Sequence, residues 1–191
     1  MKLNKKKIIA ISGVAGILLV IILYFIISED TKCKEIEVKF IENESKDLIV
    51  KEDIVKIIKA QYKNIIGSPI DELDLSLLES VIEMHPSVKN AEVYKKVDGI
   101  LVAKVENRIP IIRIMPINGG DFYIDGEGEL MPISKSSSVR VIIANGHIDF
   151  SYPNKKMNIE DSVITDQVKD LWLLAKNIYE DKFMKAQSEQ L

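Results

Sequence analysis

Three hydrophobic patterns follow one another along the chain. The first is continuous: residues 8–27 are twenty positions without a charge, eleven of them isoleucine or leucine. That length matches the roughly 20 apolar residues a helix needs to cross a hydrocarbon core about 30 Å thick, so residues 8–28 are predicted to form a transmembrane helix. The second pattern alternates. Ile36, Val38 and Phe40 are interleaved with Glu37 and Lys39, as in a half-buried strand. The third is helical: Ile54, Ile57, Ile58, Gln61, Tyr62 and Ile65 recur at that spacing, with Gly67 and Pro69 ending the helix. Leu77, Leu78, Val81 and Ile82 mark a second helix, which Pro86 stops near His85. Ser76 to Glu79 reads as a capping box at its start, with Asp74 as a rival cap.

After Pro86 the period is two on both sides of Asp98-Gly99, which predicts a β-hairpin. A two-residue loop would set Lys96 beside Leu101 and Glu92 beside Val105, mixing charged and apolar residues on each face. A three-residue loop, Val97-Asp98-Gly99, instead pairs Ala91 with Val105, Val93 with Ala103 and Lys95 with Leu101. Tyr94 then lies beside Val102 and Glu92 beside Lys104 on the other face. The second register is the expected one, because it makes one face small and apolar, fit for a helix, and leaves the other polar and reachable.

Proline lacks the donor a central strand needs, so Glu106-Asn107-Arg108-Ile109-Pro110 interrupts the ladder and a domain seam is expected there. Further strands are predicted at 111–117, 121–124, 129–133 and 139–144. They are separated by Asn118-Gly119-Gly120, Asp125-Gly126-Glu127-Gly128 and a polar loop at 135–138, and Asn145-Gly146 closes the last. Ile164, Val168, Leu171, Trp172, Ala175, Ile178 and Tyr179 then mark one face of a long helix, with Trp172 and Tyr179 expected in the core. The expected class is α+β: a transmembrane helix, a β-α-α-β-β domain over 35–107, and an incomplete mixed β domain with a flanking helix over 108–191.

Charge orients the anchor. Lys2, Lys5, Lys6 and Lys7 precede the apolar run and no acid does, so residues 1–7 are expected to be a cytoplasmic tail and everything after Ser28 to lie outside. A cleaved signal peptide fits less well, because the apolar region is too long and Ser28-Glu29-Asp30 is not a small-x-small site. Beyond the anchor, 22 of the 26 basic residues face all 29 acids. An acidic ectodomain is a poor ligand for nucleic acid or anionic lipid, which points to a protein partner.

Candidate chemistry is sparse. The single cysteine, Cys33, allows no intrachain disulfide and follows no lipoprotein box. His85 and His147 lack metal-ligand spacing, there is no G-x-S-x-G elbow, and the acids of 125–129 lack a calcium loop. No catalytic residue, metal or cofactor is therefore expected.

A helix, Pro86, a V-x-x-A-x-V strand, a turn, a strand, an E-x-x-x-P seam and a later D-G-E-G hairpin together resemble the FtsQ/DivIB family of bacterial cell-division proteins. The matching residues are Pro86, Val88, Lys89, Ala91, Val93, Lys95, Glu106, Pro110, Arg113, Asp125 and Gly128, whereas Val97 stands where many members have Trp-Pro. In that family a POTRA domain precedes a β domain, and strand-helix-helix-strand-strand is the POTRA order. Such a unit buries a core in about 70 residues, near the lower limit for independent stability.

The resemblance implies a non-catalytic scaffold of the division machinery, held by one span in the bacterial inner membrane at the septum, with its ectodomain in the periplasm. Its implied partners are FtsB and FtsL and, through them, FtsW and FtsI, with assembly coupled to septal peptidoglycan synthesis. By family position the partner-binding residues fall at Asn90, Val93 and Lys95. The hairpin register turns Asn90, Glu92, Tyr94 and Lys96 outward and Val93 and Lys95 inward. Glu106, Arg108 and Pro110 mark the seam. Members continue beyond a segment like 183–191 with strands that contact FtsB and FtsL, so the chain is expected to be a fragment or to lack that surface. The alternative is a membrane-tethered envelope hydrolase or ligand-binding domain completed beyond Leu191.

Overall fold

The computed structural model describes residues 16–22, 32–41, 48–134 and 139–181. Of the apolar stretch, 16–22 are helical and the rest lies outside the described residues, as do residues 1–7, 135–138 and 183–191. Among the described residues no helix is long and apolar enough to cross a membrane.

Strands β1 (Glu35–Phe40), β2 (Val88–Lys95) and β3 (Ile100–Asn107) form a sheet in the order β1-β3-β2. β1 runs parallel to β3 and β2 antiparallel to it. The hairpin has the three-residue loop: Ala91 faces Val105, Val93 faces Ala103 and Lys95 faces Leu101. Lys96 N donates to Ile100 O at 2.9 Å, and Gly99 turns the chain at φ +88°. Helices α1 (Lys51–Gln61) and α2 (Leu75–Glu83) share a core with one face of this sheet. Ile54, Ile58, Leu78 and Ile82 are buried with Ala91, Val93, Ala103 and Val105.

Both helices depart from the sequence reading. α1 stops at Gln61, not near Gly67, because Tyr62 takes extended backbone. Ile65 is nevertheless buried, since the turn that follows returns it to the same core, and this is why the apolar spacing runs past the helix end. α2 begins at Leu75 and is capped by Asp74, whose carboxylate accepts from Leu77 N at 3.0 Å. Ser76 lies inside the helix, and Glu79 has another use.

A second sheet orders as β7-β4-β5-β6-β8, from β4 (Pro110–Pro116), β5 (Phe122–Asp125), β6 (Glu129–Pro132), β7 (Ile142–Gly146) and β8 (Met157–Asn158). β7 is parallel to β4; the other pairs are antiparallel. Helix α3 (Asp166–Glu180) covers one face, burying Val168 and Ala175 with Ile112, Ile114, Phe122, Ile124 and Leu130. On the other side Tyr123 and Met131 pack with Leu48, from the first half of the chain, and with Val139 and Val141. That contact draws Val139 and Val141 out of the ladder, so β7 starts at Ile142 and includes the Asn145-Gly146 pair expected to end it. Tyr179, expected in the core, is 37% exposed.

Candidate partner-binding surfaces

Successive strand residues face opposite sides of a sheet. In the first sheet the helix-free side carries Asn90, Glu92, Tyr94 and Lys96 from β2 and its loop, Val102, Lys104 and Glu106 from β3, and Glu37 and Lys39 from β1. Lys96 is bonded across to Ile100, and Glu37 lies beside Val102, so their 2.6 Å ion pair crosses the central strand. With Tyr94 on its other flank, Val102 is fully buried although it faces away from the helices. The Lys96 ammonium bonded to it holds the Glu37 carboxyl below the usual carboxylate range, and Glu37 raises Lys96 in turn. Glu92 and Lys104 pair at 3.5 Å. The result is a flat, charge-paired face with Asn90, Glu92 and Tyr94 exposed along one side.

The other two family positions sit elsewhere. Val93 is 4% exposed and packed in the core, so it offers no side chain to a partner. Lys95 is exposed but on the helix side, with Nζ 2.5 Å from Asp71. A partner lying on Glu92 and Tyr94 therefore does not reach Lys95 across the same face. Sequence parity placed both residues inward; it could not foresee that β2 runs past the helices at Lys95.

The seam is built around Asp125. Arg108 Nη1 donates to Asp125 Oδ2 at 2.8 Å and to Glu127 Oε2 at 3.1 Å, with Arg108 and Asp125 both buried. Asp125 Oδ1 accepts from Glu127 N and Glu129 N, which fixes the D-G-E-G turn, and Trp172 Nε1 donates to Asp125 O at 2.8 Å. Burial acts to lower the Arg108 pKa, but the hydrogen bond and charge of Asp125, helped by Glu129 and Glu127, leave it raised. Lys89 at the bulge of β2 reaches Glu127 at 2.6 Å, which holds the Glu127 carboxyl below its ordinary range. Arg108 N also donates to Ser87 O, so the linker is tied to both sheets.

Pro110 opens β4 opposite Asp125, and Glu106 sits half-buried opposite Asn90. A cleft of 160 Å³ at the seam is lined by Lys89, Glu106, Ile109, Ile111, Glu127 and Tyr179, among others. The sequence reading found Arg108 but missed Lys89, Glu127 and Trp172 as its surroundings. The D-G-E-G turn was their one visible signal. Among the described residues no group of three or more His, Cys, Asp and Glu side chains is placed to hold a metal ion.

Comparison with known families divides the chain at this seam. A POTRA-like domain model matches residues 31–106, and a model described as FtsQ/DivIB, C-terminal related, matches residues 109–191. No curated protein matches the chain by sequence. With one match on each sheet, in the order the sequence pattern implied, the two models together support placing the chain in the FtsQ/DivIB family of membrane-associated cell-division proteins.

Proposed function

We propose that the chain is a non-catalytic scaffold of the bacterial division machinery, anchored by residues 8–28 with its two sheets outside the inner membrane. There it holds small bitopic division proteins, FtsB and FtsL, and through them FtsW and FtsI, and couples their assembly to septal peptidoglycan synthesis. The observation that carries this reading is the tandem of POTRA-like and FtsQ/DivIB C-terminal related domains behind a lysine-flanked apolar stretch. The surface we assign to partners is the outer face of the first sheet, through Asn90, Glu92 and Tyr94, with Lys96 tied down by Glu37 as its floor. Arg108 and Pro110 set the second sheet against the first, and Glu106 borders both.

Interfaces of this kind rest on a few aromatic and well-packed residues inside a polar surround, which Tyr94 over the buried Val102 supplies. The test is affinity capture of the full chain from its host membranes. Division proteins are expected among the captured partners, and Glu92→Lys with Tyr94→Ala is expected to lose them while the protein still accumulates. Capture of no division protein from membranes that contain them would contradict the reading.

A further inference from the structure

β2 is an edge strand, and an edge strand turns every second pair of backbone groups toward solvent, where another strand can add. Lys96 N bonds to β3, so by alternation Ala91 and Val93 turn their amides outward. Neither amide is open. Ala91 N donates to Glu83 Oε1 at 3.0 Å and Val93 N to Glu79 Oε1 at 2.8 Å. Both glutamates come from α2, whose core face packs on the same sheet.

The spacing explains why this works. Residues four apart on a helix are about 6 Å apart along its axis, and residues two apart on a strand about 7 Å. Glu79 and Glu83 ascend as Val93 and Ala91 descend, so one turn of helix serves one repeat of an antiparallel strand. Beyond Ala91 the cover continues, Val88 N donating to His85 O at 2.9 Å, and beyond Val93 the Lys95 side chain pairs with Asp71. Each carboxylate accepts a charge-assisted bond from a backbone N–H, stronger than one between neutral groups.

We propose that Glu79 and Glu83 are edge guards, which bar a second copy of this chain from adding its own β2 to this strand. β2 is rich in groups that would pair with itself: antiparallel alignment about Glu92 would place Ala91 opposite Val93 on one face. The same closure means that partners meet this domain on its outer face and not along the β2 edge. The guard does not depend on the division role.

The test uses the full chain in detergent. In the wild-type protein, amide hydrogen exchange at Ala91 and Val93 is expected to be slow, like that of Glu92 and Tyr94, which bond to β3. Fast exchange at Ala91 and Val93, with Glu92 and Tyr94 protected, would overturn the proposal without any variant. Glu79→Ala with Glu83→Ala is then expected to speed exchange at those two amides about tenfold or more at low concentration. At higher concentration it is expected to self-associate, as read by light scattering. Glu79→Gln with Glu83→Gln keeps an accepting oxygen at each position and is expected to remain in the wild-type oligomeric state. A folded alanine variant that stays in that state at every concentration would also overturn the proposal.

Discussion

The first sheet is closed on one face by two helices and along β2 by carboxylates, whereas the second has one helix and leaves isoleucines bare beside an edge. Ile143 in β7 is 58% exposed and Ile117, just past β4, is 60% exposed. The first sheet spreads its stability over many buried aliphatic contacts. The second has its own apolar core under α3, but one buried residue, Asp125, also joins Arg108, the D-G-E-G turn and, through its carbonyl, Trp172. Damage should therefore be distributed in one half and concentrated in the other.

The largest expected effect follows from that concentration. Arg108→Ala strands Asp125 as a buried charge, and breaking such a pair costs about 3–5 kcal/mol. Denaturant unfolding is expected to show the loss in the transition reported by Trp172, with the first sheet retaining more of its stability. Equal loss in both halves would mean that the seam stabilises the two sheets together.

A glycine contrast inside the same turn comes next. Gly128 has φ +85°, and a Cβ there would lie 2.5 Å from Ile159 Cγ2, whereas a Cβ on Gly126 meets open space. Gly128→Ala is expected to cost about 2–4 kcal/mol through strain and overpacking combined. Gly126→Ala is expected to stay within about 0.5 kcal/mol. Thermal melts of the two variants side by side check this.

A smaller difference separates the helices. Asp74 caps α2 through Leu77 N, while Thr165 at the start of α3 makes no such bond. Asp74→Ala is expected to cost about 1 kcal/mol and Thr165→Ala a few tenths. A reversed order would remove the local account of how α2 is set in register with β2.

The smallest effect is one of pH. Burial lowers the His85 pKa, with Asp53 offsetting part of the shift, and its Nδ1 accepts from Ser87 N. The unfolded chain therefore binds the proton more readily. Stability is full above the ordinary histidine value of about 6.5 and falls as the pH drops from there toward the lower folded value. The denaturant midpoint is expected to fall modestly between about pH 7.5 and 5.5. His85→Gln, which keeps an acceptor, is expected to reduce that slope, and an unchanged slope would assign it elsewhere.

What could be read from the sequence follows the same division. The hairpin register was legible because the loop, the face composition and the period all select one pairing. Glu79 misled because a local capping box and a tertiary bond to Val93 ask for the same residue, and the tertiary bond won. In the second half, β7 was displaced because the alternation of Val139 and Val141 serves contacts with Leu48 and Tyr123. β8 has two residues and no period to detect. Asp125 read as a turn residue; its burial depends on Arg108, seventeen positions earlier, and no local pattern encodes that.

The division reading meets its most direct test in depletion of the chain in its own host, followed by complementation and imaging. We expect filaments with stalled constrictions, rescued by the wild-type chain but not by Glu92→Lys with Tyr94→Ala at equal protein level. Normal division on depletion would contradict the role, and full rescue by the face variant would contradict the surface assigned to it.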